Sequence, residues 1–230
     1  MNGVVFIPDR NHTRKDFEGA FLPEALSFSE IWGSPKPVKI DISLTAQEQR
    51  AQVLQGIKDA SWAQGTLRMV AFFCHGWKAG IQLGFNLDTA QDLAKQIACY
   101  STRNVVIPIY ACSAARDNDP GIADDIDPDT VGGDGGFADI LRDALCWEDK
   151  VHCRIMAHVT SGHTTRNPWV RYFEGTGNPY GGSGGAWVIR PKGPLWARWI
   201  KWLAYKDNRL KFPFETANTL RQEVGRFTVS

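Results

Sequence analysis

A chain of 230 residues, 43% of them hydrophobic, is long enough to bury one sizeable core and is expected to be a single domain, with a core over about residues 1–160 and decorations after it. A formal net charge of +1 argues against a broad attraction to nucleic acid, and no apolar run approaches the roughly 20 residues that span a bilayer. The five cysteines (74, 99, 112, 146, 153) form no Cys-x-x-Cys pair and no signal peptide is recognisable, so reduced thiols in a cytoplasmic protein are expected, with export by a route lacking a cleaved signal left open.

Gly3 to Pro8 predicts a strand opening almost at the N-terminus, with no pro-domain expected before it. Asp9 to Lys36 reads as a solvated loop. Its Asn11, His12, Arg14 and Lys15 fall just past that strand's carboxyl end, where they could also bind substrate. Val38 to Leu44 alternates apolar and polar residues, as a half-exposed edge strand does. Thr45-Ala-Gln-Glu48 has capping-box spacing and predicts a helix to about Ala60.

The chain is organised around Met69-Val-Ala-Phe-Phe-Cys-His75-Gly76 and its echo Val105-Val-Ile-Pro-Ile-Tyr-Ala-Cys112-Ser113. Each is a short apolar run bounded by turn residues and predicts a buried strand. Leu87 to Tyr100 between them has helical spacing, which makes the whole a βαβ unit. A right-handed crossover sets its strands parallel with both carboxyl ends on one edge. His75 and Cys112 are therefore expected to emerge side by side, on the edge where open α/β sheets hold their sites. A neighbouring imidazole can stabilise a thiolate or take the thiol's proton. Gly76, lacking a side chain, can bring its amide close to a reacting carbonyl and form an oxyanion hole with the amide of Cys112. Pro108 cannot donate to a ladder, so a bulge is expected there.

A hydrophobic strand ending His75-Gly76, one helix, and a hydrophobic strand ending Ala111-Cys112-Ser113 resemble the caspase-like cysteine peptidases: caspases, metacaspases, gingipains, separases and CHAT-type bacterial proteases. The resemblance implies an α/β fold with an open, mostly parallel twisted sheet and helices on both faces, a three-layer sandwich. It also implies the element order strand, helix, His strand, helix, Cys strand, loop, helix, strand. His75 and Cys112 would be the catalytic dyad, and Gly76 would share the oxyanion hole. The caspase signature itself is absent, since Tyr110 stands where it has Gln and Ala114 where it has Gly.

Ser113 to Gly136 is a long loop holding Arg116, Asp117, Asp119, Asp124, Asp125, Asp127, Asp129 and Asp134. Loops of this length are often functional. It reads as an acidic substrate pocket including Asp117 and Asp134, as a calcium site of hard oxygen ligands, or as a cleavable linker; no other cofactor is expected. The resemblance implies a preference set by the residue before the scissile bond, and an Asp-lined pocket would favour a basic one.

Gly136 to Trp147 predicts an amphipathic helix and Val151 to Val159 the strand after it. By the same resemblance the next segment lines the cleft, making Thr160, Ser161 and His163 candidate pocket residues. His158 and His163 read as polar loop histidines, because no third metal ligand joins them at a recognisable spacing. Trp169 to Phe173 and Ala186 to Ile189 predict a strand pair around a glycine-rich loop, which is either a flap over the cleft or a plain hairpin loop. Without a Gly-Lys-Ser/Thr ending it is no phosphate loop. Pro194 to Tyr205 predicts an amphipathic helix with Leu195, Trp196, Trp199, Ile200 and Leu203 opposite Arg198 and Lys201. That helix would cover the sheet, or contact a partner or membrane surface. Phe214 to Arg226 predicts another surface helix.

Two other functions are compatible with these residues. Ala111-Cys-Ser-Ala-Ala115 mimics the small-x-Ser-x-small elbow of α/β-hydrolases, with Ser113 as nucleophile, although helix breakers follow it. A catalytically silent interaction module is the other.

Overall fold

The computed structural model of the chain describes residues 2–9, 21–116, 133–159, 170–175, 177–182 and 187–189. Along the chain come β1 (Gly3–Asp9), α1 (Phe21–Trp32), β2 (Val38–Asp41), α2 (Ala46–Gln64) and β3 (Leu67–Phe73). Three short strands follow, β4 (Gly76–Trp77), β5 (Gly80–Ile81) and β6 (Phe85–Asn86), then α3 (Ala90–Tyr100) and β7 (Ser101–Tyr110). The remaining elements are α4 (Phe137–Trp147), β8 (Arg154–His158), β9 (Val170–Glu174) and β10 (Trp187–Ile189).

The main sheet has the order β10-β9-β8-β7-β3-β1-β2. From β2 to β8 every neighbouring pair is parallel, and β9 and β10 are added antiparallel. The fold is therefore an open, mostly parallel α/β sheet with helices on both faces. Parallel strands covered on both faces need apolar residues at successive positions rather than at alternate ones, and β1, β3 and β7 supply them. Val4, Phe6, Val70, Phe72, Ile107 and Ile109 pack in one cluster with Val53 and Ile57 of α2, Leu93 and Ile97 of α3, and Leu141 and Leu145 of α4. The alternate residues face the other way. There Phe28 of α1 meets Phe73, ring centroids 5.3 Å apart, and Phe73 stacks on Tyr110 at 4.9 Å.

The expected capping box is present: Thr45 N–H donates to Glu48 Oε2 at 2.9 Å, and Glu48 N–H to Thr45 Oγ1 at 3.3 Å. The helix runs past Ala60 because nothing interrupts it before Gly65, which closes it at φ +86°. Three expectations need correction. Asp9 to Lys36 is not all loop: Phe21, Ala25 and Phe28, buried at helical spacing, seat α1 on the sheet. Asn11, His12, Arg14 and Lys15 lie outside the described residues. Pro108 carries no bulge, pairing in register with Met156 of β8, and the irregularity of the β3–β7 pair falls between Leu67 and Met69. The glycine-rich loop is not a flap over the carboxyl edge, because antiparallel β9 delivers Gly175 and Gly177 to the opposite edge. There their amides donate to Cys153 and Val151 carbonyls at 2.8 and 3.0 Å. The expected helices after residue 190 lie outside the described residues. Among the described residues no helix is long and apolar enough to cross a membrane.

One buried ion network ties α4 to two loops. The Arg142 guanidinium, 1% exposed, donates to Asp139, to the Gly182 carbonyl, and to Asp143 Oδ1 at 2.6 Å. Gly135 N–H donates to Asp139 Oδ2 at 3.0 Å, and Gly182 N–H to Asp143 Oδ1 at 3.1 Å. Burial pushes the Asp139 carboxyl from its ordinary 3.8 up to about 7, against the opposing pull of Arg142 and the Gly135 amide. A carboxyl held above its unfolded value binds its proton more tightly in the folded chain. Its contribution to stability is present below 3.8 and is lost as pH rises through about 7. Denaturant unfolding of wild type and Asp139→Asn across that window is expected to show the wild-type advantage shrinking as pH rises. An advantage that grows instead would mean that Arg142 dominates and holds the carboxyl low.

Candidate active site

β3 and β7 are adjacent and parallel, and their last paired residues are Phe73 and Tyr110. One further ladder bond, Cys74 N–H to the Tyr110 carbonyl at 3.2 Å, closes the pairing. His75 and Cys112 each lie two positions past that rung. Neighbouring strands run about 4.8 Å apart and side chains alternate between faces with period two. Phe73 and Tyr110 stack on one face, to which His75 returns, while Cys112 stands in the turn that follows β7. Cys74 and Ala111, one position earlier on each chain, belong to the cluster on the opposite face. The His75 ring accordingly meets Phe21 of α1 edge-on, centroids 5.1 Å apart. His75 and Cys112 are both half-buried, so each has a partly accessible side chain at the carboxyl edge.

Gln82 fixes the backbone under the imidazole. Its amide donates to the His75 carbonyl at 2.9 Å, and its side-chain oxygen accepts from His75 N–H at 3.3 Å. Gly76 packs against the Cys112 turn: a Cβ there would stand 2.8 Å from Ala111 Cβ and 2.9 Å from the Cys112 carbonyl oxygen. Real side chains do not approach so closely, so the glycine has a packing reason besides any catalytic one. The N-terminus of α4 then joins the two halves of the site. Gly136 makes no side-chain cap bond, and two amides of the first turn find carbonyls elsewhere, as unpaired helix-end donors must. Phe137 N–H donates to Lys78 in the turn of the hairpin after His75, at 2.8 Å, and Ala138 N–H to Ala114 in the turn after Cys112, at 3.0 Å.

The cysteines near the site differ in burial, Cys74 being enclosed and Cys112 partly exposed. Burial pushes the Cys74 thiol up to about 12, with the nearby Cys112 adding to the rise and the Gln82 and Leu83 amides opposing it. Cys74 is therefore a neutral thiol at any physiological pH. Ser113 is 5% exposed and sits at φ +56°, in the left-handed region. Residues 114–116 form a turn rather than a helix.

Both ends of the acidic loop rest on the Cys112 turn, where a Cβ on Gly133 would meet the Ala115 carbonyl at 2.6 Å. Asp134 is exposed beside it. Asp117, Thr160, Ser161 and His163 lie outside the described residues, as do Asp119 to Asp129 of the calcium reading. Among the described residues no group of three or more His, Cys, Asp or Glu is placed to hold a metal ion. His158 is not a loop histidine: it ends β8, is 2% exposed, and meets the Tyr110 ring at 5.0 Å. Sequence reasoning missed Gln82 and the amides of α4, for which residue type gives no signal. It also missed Phe21, whose helical spacing with Ala25 and Phe28 could have revealed it, and Arg171. Arg171 is a 1% exposed cation opposite Ala157 on β9, against which Gly133 packs.

Fold and site together define an open α/β protein carrying an imidazole and a thiol on adjacent strand ends. Compared with known proteins, the chain matches no family model, no curated protein and no solved structure.

Gly76→Ala is expected to force the Ala111–Cys112 backbone away and to slow iodoacetamide labelling of Cys112 severalfold, while far-UV circular dichroism stays native. Labelling at the wild-type rate would show that the close approach has no bearing on the thiol. In wild type, peptide mapping is expected to find Cys112 and the exposed Cys99 modified and the buried Cys74 protected, since reaction needs an accessible thiolate.

Proposed function

We propose that the protein is a caspase-like cysteine endopeptidase that cleaves peptide bonds through an acyl-enzyme. The observation that carries this reading is the common register of His75 and Cys112, each two residues past the Phe73–Tyr110 rung of two adjacent parallel strands. The element order that the family resemblance implies supports it, from β1 through the His and Cys strands to α4 and β8.

In this reading the Cys112 sulfur attacks the carbonyl carbon of the scissile bond. The amides of Gly76 and Cys112 receive the negative charge that develops on the carbonyl oxygen. His75 then protonates the leaving amine, which departs and leaves a thioester on Cys112. A water molecule, giving its proton to His75, attacks the thioester, releases the acid product and restores the thiol. Asp134 at the end of the acidic loop favours a basic residue before the scissile bond. A peptide library varied at that position tests this preference.

The strained backbone of Ser113 favours a second reading, since a hydrolase elbow holds its serine in a sharp, strained turn. Burial of Ser113 and the turn, rather than a helix, at the described residues 114–116 weigh against this alternative.

Cys112→Ala is expected to abolish peptide hydrolysis, and His75→Ala to reduce kcat/KM by about 10²–10⁴-fold, the usual worth of a positioned acid–base group. Ser113→Ala is expected to stay within about tenfold of wild type, because it touches no reacting atom. Loss of activity in Ser113→Ala with Cys112→Ala still active would transfer the role to the serine. Iodoacetamide labelling of Cys112 that is indifferent to His75→Ala would sink the dyad.

A further inference from the structure

Two cysteines far from the carboxyl edge also face each other. Cys146 lies in the last turn of α4 and Cys153 just before β8, both 0% exposed. The connection between them is compact. Asp149 takes the left-handed conformation at φ +64°, and its amide donates to the Cys146 carbonyl at 3.1 Å. Lys150 N–H donates to the Leu145 carbonyl at 2.8 Å, and Cys153 N–H to the Lys150 carbonyl at 2.8 Å. This folding-back makes the two thiols hydrogen-bond partners, and Cys153 Sγ also lies 3.9 Å from the Arg142 carbonyl oxygen. We propose that Cys146 and Cys153 form a dithiol site that closes reversibly to an intramolecular disulfide, with glutathione disulfide as the oxidant.

Thiols already in mutual contact need only a small side-chain rotation to reach bonding distance. The pair lies outside the proposed hydrolytic machinery, and both thiols are buried. The Cys146 hydrogen bond and burial hold the Cys153 thiol well above its ordinary 9.0, which keeps the reduced pair quiet while it stays enclosed. Access comes from the helix end. Cys146 precedes Trp147, which is 63% exposed, and terminal helical turns open at low free-energy cost. When that turn opens, the Cys146 thiolate attacks one sulfur of glutathione disulfide and displaces a glutathione thiolate. Cys153 then attacks the Cys146 sulfur and displaces the second. One S–S bond forms and one breaks; the two protons lost by the cysteines pass to the two glutathione thiolates.

The test uses the full chain, equilibrated natively with a glutathione buffer rich in the disulfide form, quenched with N-ethylmaleimide under denaturing conditions and digested with trypsin. Cleavage after Arg142, Lys150 and Arg154 releases Asp143–Lys150 and Val151–Arg154 as separate peptides, each carrying one of the two cysteines. The expected product is the two peptides joined, about 2 Da lighter than their sum, and separated again by dithiothreitol. It is expected to persist in Cys112→Ala and to be absent from Cys146→Ala and Cys153→Ala. A second arm refolds the reduced wild-type chain in the same buffer, so that burial cannot conceal the thiols. Recovery of the two peptides unlinked in both arms, whether alkylated or glutathionylated, would overturn the proposal.

Discussion

β3 and β7 meet along a parallel ladder whose last rung sets Phe73 opposite Tyr110, with the two rings stacked 4.9 Å apart. Those rings are buried between the sheet and α1 and belong to a row from Phe28 through Phe73 and Tyr110 to His158. Burying large aromatic side chains contributes strongly to stability, and here it also fixes register. Because side chains alternate with period two, holding this rung turns His75 toward Phe21 of α1 and leaves Cys74 and Ala111 in the cluster on the other face. The level at which the imidazole and the thiol leave the sheet is thus a by-product of core packing two residues below them.

Packing below the strand ends does not hold the loops above them, and backbone hydrogen bonds do that work. α4 begins without a side-chain cap, and its free amides bind Lys78 after the histidine and Ala114 after the cysteine. The helix end therefore needs the two loops as much as they need it. Farther along the same helix, Arg142 draws the Gly182 carbonyl and two carboxylates into a buried network, while Asp139 accepts from Gly135 at the end of the acidic loop. One element thus registers the His turn, the Cys turn, the acidic loop and the glycine-rich loop. Leaving any partner of such a network uncompensated in the interior is costly.

The parts of this arrangement that were legible in the sequence follow simple periodicities. Apolar runs at 69–73 and 105–110 gave buried strands, helical spacing between them gave the crossover, and parallel pairing followed from its length. Thr45 and Glu48 announced a helix start because capping is local chemistry. α1 was not foreseen because the polar Asn11, His12, Arg14 and Lys15 gave the segment loop character, although the buried Phe21, Ala25 and Phe28 repeat at helical spacing. Pro108 was expected to disturb a ladder that in fact stays in register with Met156. The glycine-rich loop lies at the far edge because β9 runs antiparallel, a fact of topology that composition does not encode. Gln82 was invisible for another reason: its contacts with His75 arise only when the three-stranded hairpin folds back.

Burial separates the five cysteines more than their chemistry does. Cys74 and Cys112 come from equivalent strand ends, yet one position of offset relative to the Phe73–Tyr110 rung puts Cys74 inside, where burial pushes it up to about 12, and leaves Cys112 half-exposed. A slip of one residue in β3 alone would reverse this. Cys74 would face Cys112 across the strands, and His75 would enter the apolar cluster of Leu83, Phe85 and Ala111, where an imidazolium has no compensating partner. The aromatic rung that stabilises the register therefore also excludes the arrangement in which the imidazole is lost to the core. Stability and the candidate chemistry are selected by the same contact, and mutations that loosen Phe73 or Tyr110 act on both together.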